Sequence, residues 1–202
     1  MMITKTILSF FTLGIIAFPT LSLATDAELA HNKCAACHGD DGNSQYPEVP
    51  SIAGLSRNYL YDSLKSFADG DRPGERFKPH NGSETDMNEV SRSLSHEEMK
   101  ALAAYFSRQT FTPRQQSFDP LLARAGARIH KKRCERCHED NGRTVDDDMG
   151  RLAGQSMQYL EKELKNFITQ RRHPPKKMAR QLKRLKPNDI PALVHFFAGQ
   201  QS

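Results

Sequence analysis

The amino-acid sequence predicts an all-α protein built from two tandem helical units related by internal duplication. An offset of 100 residues aligns Ile52-Ala53-Gly54 with Leu152-Ala153-Gly154 and Tyr59-Leu60 with Tyr159-Leu160. Near the end of each half the offset falls to 91, where Met87 aligns with Met178. Apolar residues recur at helical spacing in both halves, and strand signals are weak. A match of this length indicates a repeat rather than a shared composition.

Residues 1–24 are predicted to be a secretory signal peptide. Lys5 gives a positive start, residues 7–23 are nearly all apolar, and Ser22-Leu23-Ala24 forms a small-x-small cleavage pattern. The alternative is an uncleaved membrane anchor, which the shortness of the apolar stretch disfavours. No second apolar span follows, so we expect an exported, periplasmic protein that is not an integral membrane protein after cleavage.

The first unit is predicted over residues 25–109. Helices are expected over residues 26–37, around Leu60, Leu64 and Phe67 on one apolar face, and after Ser95, where Ser95-x-x-Glu98 forms a capping box. Residues 110–120 contain two prolines and are predicted to be the linker. The second unit, residues 121–202, repeats the helices, with its last helix starting near Pro187-Asn188.

All four cysteines fall in two copies of one pattern. Cys34-Ala35-Ala36-Cys37-His38 recurs as Cys134-Glu135-Arg136-Cys137-His138. C-x-x-C-H is the attachment signature of c-type haem. The thiols Cys34, Cys37, Cys134 and Cys137 would bind the porphyrin covalently, and His38 and His138 would each supply one axial nitrogen. The sequence therefore predicts two covalently bound haem c groups.

Four cysteines in an exported protein can serve other purposes. In an oxidising compartment the default is two disulfides, and a zinc site built from both pairs is compatible with the spacing. Neither explains why a histidine follows each pair. A thioredoxin-like C-x-x-C needs a βαβ setting, which the sequence lacks.

Each haem iron needs a second axial ligand from further along the chain. Met87 and Met178 are the two methionines that are equivalent under the repeat, and a thioether there raises the reduction potential and suits electron transfer. Met99 falls on an apolar helix face and is predicted to be core. The rival ligands are His80 and His173, which precede the two methionines but do not align with each other.

The surroundings of the two irons are expected to differ. Pro50 is the candidate for a carbonyl that accepts from the free nitrogen of the first axial histidine. Its equivalent, Gly150, can still offer a carbonyl but holds it less rigidly. Basic residues from Lys176 to Lys186 surround the second methionine and disfavour the positively charged oxidised iron. We therefore predict the higher potential at the second haem.

Charge is unevenly divided between the halves. Residues 25–119 hold 10 Lys/Arg against 15 Asp/Glu, a net charge of −5, whereas residues 120–202 hold 18 against 9, a net charge of +9. The asymmetry is either incidental or marks a dipolar molecule that partners orient. A nucleic-acid partner is not expected for an exported haem protein.

The chain resembles the dihaem class I c-type cytochromes over its whole mature length. Cys37-His38-Gly39-Asp40-Asp41-Gly42-Asn43-Ser44 and Pro50-x-Ile52-Ala53-Gly54 are similar to cytochrome c4. Gln116-Ser117-Phe118-Asp119 and Lys176-Lys177-Met178-Ala179 are more similar to the cytochrome subunit of flavocytochrome c sulfide dehydrogenase. The resemblance implies two tandem class I cytochrome c domains, haems near the domain interface, and axial pairs His38/Met87 and His138/Met178.

The leading functional interpretation is an electron-transfer protein, not an enzyme, that passes single electrons between redox partners such as a terminal oxidase complex. The alternative is the haem subunit of a sulfide dehydrogenase, which accepts electrons from a separate flavoprotein because this chain lacks a Gly-x-Gly-x-x-Gly fingerprint. A catalytic dihaem peroxidase is a third class, which the paired methionines disfavour.

Overall fold

The computed structural model describes residues 22–146 and 149–202 of the 202-residue chain, with side chains described from Asp26 onward. The predicted signal peptide, residues 1–24, lies outside the described residues apart from the three residues that open the first helix. Among the described residues there is no strand, and the only β-like pairing is an isolated bridge between Phe77 and Thr85. The all-α prediction is therefore confirmed.

The first unit contains five helices. They are α1 (Ser22–Ala30), which continues through a π-helical stretch (His31–Ala35) into α2 (Ala36–His38), α3 (Arg57–Asp69), α4 (Met87–Arg92) and α5 (His96–Ser107). Ser95 forms the predicted capping box with Glu98, which satisfies two backbone N–H groups at the start of α5. The unit's core joins α1, α3 and α5 through Ala30, Leu60, Leu102 and Phe106.

The second unit repeats this plan. Its helices are α6 (Pro120–Arg133), the short turn α7 (Glu139–Gly142), α8 (Met157–Ile168), α9 (Lys176–Leu182) and α10 (Asp189–Ala198). Helix α6 crosses α10 closely because Gly126 has no side chain: a Cβ there would overlap the Ala192 carbonyl and Phe196. The core lies around Leu160, Leu193 and Phe197.

Equivalent backbone hydrogen bonds confirm the duplication. Gly54 N–H donates to the Phe106 carbonyl at 2.9 Å, and Gly154 N–H donates to the Phe197 carbonyl at the same distance. Both glycines have positive φ, 64° and 71°, a conformation that residues with a Cβ rarely adopt. The repeat therefore preserves backbone geometry as well as residue type.

The segment between the units, residues 110–119, forms no helix but is tightly bonded to both. The Arg114 N–H donates to the Gly154 carbonyl at 2.8 Å, while its guanidinium donates to the Ser44 and Gln45 carbonyls. The guanidinium of Arg151 stacks on the Phe111 ring, 4.7 Å from the ring centroid. The connection thus fixes one unit against the other.

Candidate haem-binding sites

The first unit encloses a cavity of about 310 Å³ that contains all four of its predicted ligands. Cys34, Cys37, His38 and Met87 line it together. The remaining wall is largely apolar, and its larger members are Val49, Ile52, Leu55, Leu60, Leu64, Phe67, Leu94, Leu102 and Phe106. Two thiols, an imidazole and a thioether around one apolar space are the donor set that a covalently attached haem requires.

The orientation of His38 is set from outside the cavity. Its Nδ1 lies 2.9 Å from the Pro50 carbonyl, as the sequence predicts, and the side chain is buried. Burial lowers the pKa of His38, against the smaller opposing effect of that hydrogen bond. The ring is therefore neutral at pH 7, with the proton on Nδ1 and the lone pair of Nε2 free for a metal.

The four cysteines are unpaired thiols. Burial raises the pKa of Cys34 to about 12 and that of Cys134 to about 11. In the part of the chain that the structure describes, no three His, Cys, Asp or Glu side chains form a metal-binding cluster, so the two C-x-x-C pairs are not gathered into one zinc site.

Met87 owes its position to the start of α4. It is the first residue of that helix, and the preceding Asp86 caps the helix by accepting the Glu89 N–H at 2.9 Å. That hydrogen bond holds the pKa of Asp86 below its usual value. Because the cap anchors the loop next to the thioether, Asp86 is a supporting residue that sequence reasoning missed, although the Asp-x-x-Glu spacing was visible.

The turn after the second C-x-x-C-H differs from the first for a steric reason. Gly39, the residue directly after the first motif, has φ 78°. Its equivalent in the second unit is Glu139, for which a positive φ is unfavourable. The left-handed residues are instead Asp140 (φ 46°) and Asn141 (φ 56°), types that tolerate it better. The second motif is accordingly a turn rather than a helix.

This difference changes how His138 is held. Its buried Nδ1 has no hydrogen-bond partner among the described residues, so Gly150 does not supply the carbonyl that Pro50 gives in the first unit. Instead, Nε2 of the buried His130 lies 2.8 Å from the carbonyl oxygen of His138. The His130 ring packs against Phe196 and Phe197. Burial, followed by the neighbouring His130, lowers the pKa of His138 to about 4.

The remaining candidate ligands fall in separate places. Met178 is half-buried on α9, and its pairing with His138 stays a prediction. His80 is exposed, and both its Nδ1 and its backbone N–H lie 3.0 Å from the Tyr46 hydroxyl. His173 is exposed as well. Met99, predicted to be core, is 4% exposed in the first unit's core.

The second unit closes part of the first cavity. Gly150, Gln155, Tyr159 and Glu163 contribute to its wall. Gln155, 2% exposed, exchanges two hydrogen bonds with the backbone of Ser51, at 3.1 and 2.6 Å. The cavity therefore lies against the domain interface, where the resemblance predicts the haems.

A charged cluster at this interface follows the repeat symmetry. Arg72 stacks on Phe67 at 4.4 Å and donates to the Tyr159 hydroxyl of the other unit at 3.1 Å. Its equivalent, Arg172, stacks on Phe167 and hydrogen-bonds Tyr59.

One carboxylate, Glu163, breaks the symmetry of the cluster. Its carboxylate accepts hydrogen bonds from both Arg72 and Arg172. The first unit has Ser63 at the equivalent position. The sequence repeat aligns Arg72 with Arg172 and Tyr59 with Tyr159, but it gives no sign that each arginine bonds the tyrosine of the opposite unit.

Comparison with known proteins agrees with this geometry. The family described as Cytochrome c matches residues 26–109, and the one described as Cytochrome C oxidase, cbb3-type, subunit III matches residues 122–197. Cytochrome c4 of Azotobacter vinelandii is 32% identical over 158 residues, which cover 71% of this chain and 73% of that protein.

The chain belongs to the cytochrome c4 family. The crystal structure of reduced recombinant cytochrome c4 from Pseudomonas stutzeri superimposes with a TM-score of 0.70 at 29% identity, covering 88% of this chain and 97% of that one. A protein of Thiomonas intermedia named "Thiosulfate dehydrogenase electron acceptor" is 30% identical, covering 80% of this chain and 74% of that protein.

Membership of the cytochrome c4 family establishes the character of the chain. It is a dihaem electron-transfer protein with two covalently bound haem c groups in two cytochrome c domains, and it is not itself an enzyme. No helix in the described ranges has the length and apolarity needed to cross a bilayer.

Proposed function

We propose that this cytochrome c4 homologue works in the periplasm as a two-site relay, with Cys34, Cys37, His38 and Met87 holding one haem and Cys134, Cys137, His138 and Met178 the other. The observation that carries the proposal is the cavity that gathers the first set of four ligands. Each haem, when bound, takes up and releases one electron at its iron.

The protein's own contribution is to hold the ligands and exclude water. His38 is kept neutral by burial and fixed in orientation by the Pro50 carbonyl. Met87 is fixed by the capped start of α4, and apolar side chains fill the remaining wall. In a dry, preformed site little rearranges when the iron changes charge, which suits electron transfer.

A free carrier fits the described surface better than a subunit of a permanent complex. Obligate interfaces present large apolar patches. The exposed large hydrophobic residues among those described are Phe118, Leu121 and Ile168, with 37%, 69% and 40% of their surface accessible. We therefore favour transient partners, with a terminal oxidase complex as one acceptor.

A second candidate function is suggested by one relative. The similarity to a protein named as a thiosulfate dehydrogenase electron acceptor supports a donor that oxidises an inorganic sulfur compound. The alternative predicted from the sequence also has a donor that oxidises a sulfur compound, namely a flavoprotein sulfide dehydrogenase that passes electrons to this chain.

Purification of the native protein from the exporting organism tests both candidate functions, the free carrier and the dehydrogenase subunit. Two covalent haems per chain without flavin support the free carrier, a co-eluting flavin spectrum identifies a dehydrogenase subunit, and absence of covalent haem overturns the proposal. Cleavage after Ala24, read by N-terminal sequencing, tests export.

Ligand assignment is tested by substitution. Met87→Leu and Met178→Leu should each remove about half of the weak far-red absorption expected of thioether-ligated ferric haem. The matched control Met99→Leu, in the core, should leave it intact. Retention of the full band in Met178→Leu would overturn the second assignment.

A further inference from the structure

One side chain ties the segment that carries Met87 to the wall of the first haem cavity. The amide nitrogen of Asn88, the next residue of α4, donates to the backbone carbonyls of Phe67 at 2.6 Å and Arg72 at 2.9 Å. Its amide oxygen accepts the Gly74 N–H at 2.6 Å. We call these three hydrogen bonds the Asn88 clamp. Because Phe67, Arg72 and Gly74 line the cavity with Met87, the clamp joins the methionine segment to the end of α3 and the loop after it.

The close approach of Gly74 makes the clamp possible. A Cβ on Gly74 would lie 2.6 Å from Oδ1 of Asn88 and 3.0 Å from the backbone nitrogen of Met87. A residue without a side chain lets the loop come this near to α4. Met87 is therefore held on both sides along the chain, by the Asp86 helix cap before it and by the Asn88 clamp after it.

The second unit lacks the clamp. The alignment that pairs the two methionines places Ala179 at the position of Asn88, and an alanine side chain has neither a donor nor an acceptor. On the offset of 100, Gly74 corresponds to Pro174, which has no N–H to donate. Among the described residues no side chain caps α9, and no residue of α9 is fully buried. The two methionine segments are thus aligned in sequence but anchored differently.

The anchoring matters because a methionine can leave a metal only if its segment moves away. Such local opening costs the hydrogen bonds that it breaks, and a segment with fewer of them opens more often. While the thioether is away, a small base in solution can take its place. The clamp therefore opposes ligand exchange at the first site, and its absence favours exchange at the second.

Resting on the proposed ligand assignment, we propose that Asn88 is a positioning residue that keeps Met87 at the first iron, and that the second site is where a small neutral nitrogen base displaces a methionine, Met178. One neutral ligand leaves and another enters, so the exchange needs neither a proton nor an electron. The second haem site is accordingly a binding site for an external ligand as well as an electron-transfer centre.

The first test uses the haem-loaded full chain, with imidazole as the added base and the far-red thioether absorption of the ferric protein as the signal. In the wild type about half of the band should disappear at an imidazole concentration about tenfold lower than the other half requires. In Met178→Leu, where Met87 alone supplies the band, the half lost at low concentration should be missing. Loss of the high-concentration half instead, or a single step in the wild type, would overturn the proposal.

The second test places Asn88→Ala in the Met178→Leu chain, so that the band reports Met87 alone. Imidazole should then displace Met87 at about tenfold lower concentration, which equals about 1.4 kcal/mol and is within what one or two lost hydrogen bonds supply. Asn88→Asp keeps the size of the side chain but loses both donated bonds. It should shift the displacement in the same direction, and it takes the place of the alanine variant if that variant folds poorly.

Asn43→Ala in the same chain is the matched control. Asn43 is half-buried like Asn88, and its amide nitrogen also donates twice, to the Asp41 carboxylate and to the Thr110 carbonyl, both at 2.9 Å. Its amide oxygen accepts the Thr112 N–H at 2.8 Å. These bonds hold the connection between the units, so the imidazole concentration should not change. Equal shifts in both variants would indicate a general loosening of the unit, and no shift in Asn88→Ala would show that the clamp does not hold Met87; either result overturns the proposal.

Failure of this inference is separable from failure of the proposed function. Every variant is first assayed for two covalent haems per chain, and the wild type for the far-red band itself. Missing haem or a missing band refutes the proposed function. Normal haem content and a normal band, with unchanged imidazole displacement, refute the role of Asn88 alone.

Discussion

Replacing Glu163 with glutamine probes the interface between the two haem domains. This side chain is 13% exposed, and its Oε2 accepts from Arg72 at 2.9 Å and from Arg172. Arg72 is only 6% exposed, so water cannot replace the lost charge, and among the described residues Glu163 is the carboxylate that pairs with it. Removing one partner of a buried ion pair costs about 3–5 kcal/mol, because the other charge stays buried without compensation.

The matched control lies two residues away on the same helix. Glu161 pairs with Lys165 at 2.6 Å, but the two side chains are 48% and 60% exposed. Exposed i,i+4 pairs contribute about 0.3–0.5 kcal/mol. Glu161→Gln therefore makes the same chemical change on α8 with almost no expected effect on stability.

The assay is urea unfolding of the haem-loaded protein, followed by Soret and far-ultraviolet circular dichroism because the chain has no tryptophan. With a urea dependence of about 1–3 kcal/mol/M, Glu163→Gln should lower the midpoint by about 1 M or more. The control should leave the midpoint nearly unchanged. If the two variants unfold at the same midpoint, the interface cluster does not stabilise the domain pair and the argument is refuted.

Three further predictions follow from the sites themselves. His130→Ala should destabilise the second unit by about 3 kcal/mol, since it removes a buried ring packed on two phenylalanines, whereas the exposed His96→Ala should not; similar unfolding midpoints would contradict this. Asp86→Ala should cost about 1 kcal/mol through the lost helix cap, and Asp86→Asn less. Because the pKa of Asp86 is lowered in the folded state, its contribution is present above the unfolded value of about 3.9 and disappears as pH falls. The alanine variant should therefore lose less stability than wild type between about pH 5 and pH 3, and parallel curves would count against the cap. Finally, the second haem should titrate at the higher potential because the basic residues from Lys176 to Lys186 disfavour the positively charged oxidised iron, and equal or reversed potentials would refute that order.

Much of the fold could be predicted because helical repeats leave strong local signals. The capping box at Ser95 depends on side chains within three residues of each other, and the structure confirms it. The Pro50 contact with His38 spans twelve residues and was still predictable, because it belongs to the recognised pattern after C-x-x-C-H.

The second site was harder to predict because the two copies of the motif diverge in backbone conformation. One change, from Gly39 to Glu139, removes a residue that tolerates positive φ. The turn then re-forms with Asp140 and Asn141 left-handed. Residue types alone suggested that Gly150 would still offer its carbonyl to His138. In the structure, His138 Nδ1 has no hydrogen-bond partner among the described residues, and His130 contacts the backbone carbonyl of His138 instead.

The sequence by itself determined the chemistry: two haem attachment motifs, paired methionines, an all-helical duplication and opposite charges on the two halves. These features are local or repeat within one chain, so spacing and residue type are enough to recognise them. Only the tertiary structure decided how the units meet. Arg72 bonds Tyr159 and Glu163 of the second unit, and Arg172 bonds Tyr59 of the first, so these contacts join residues at least 87 positions apart. Such contacts depend on how two folded surfaces pack, and no local pattern encodes that.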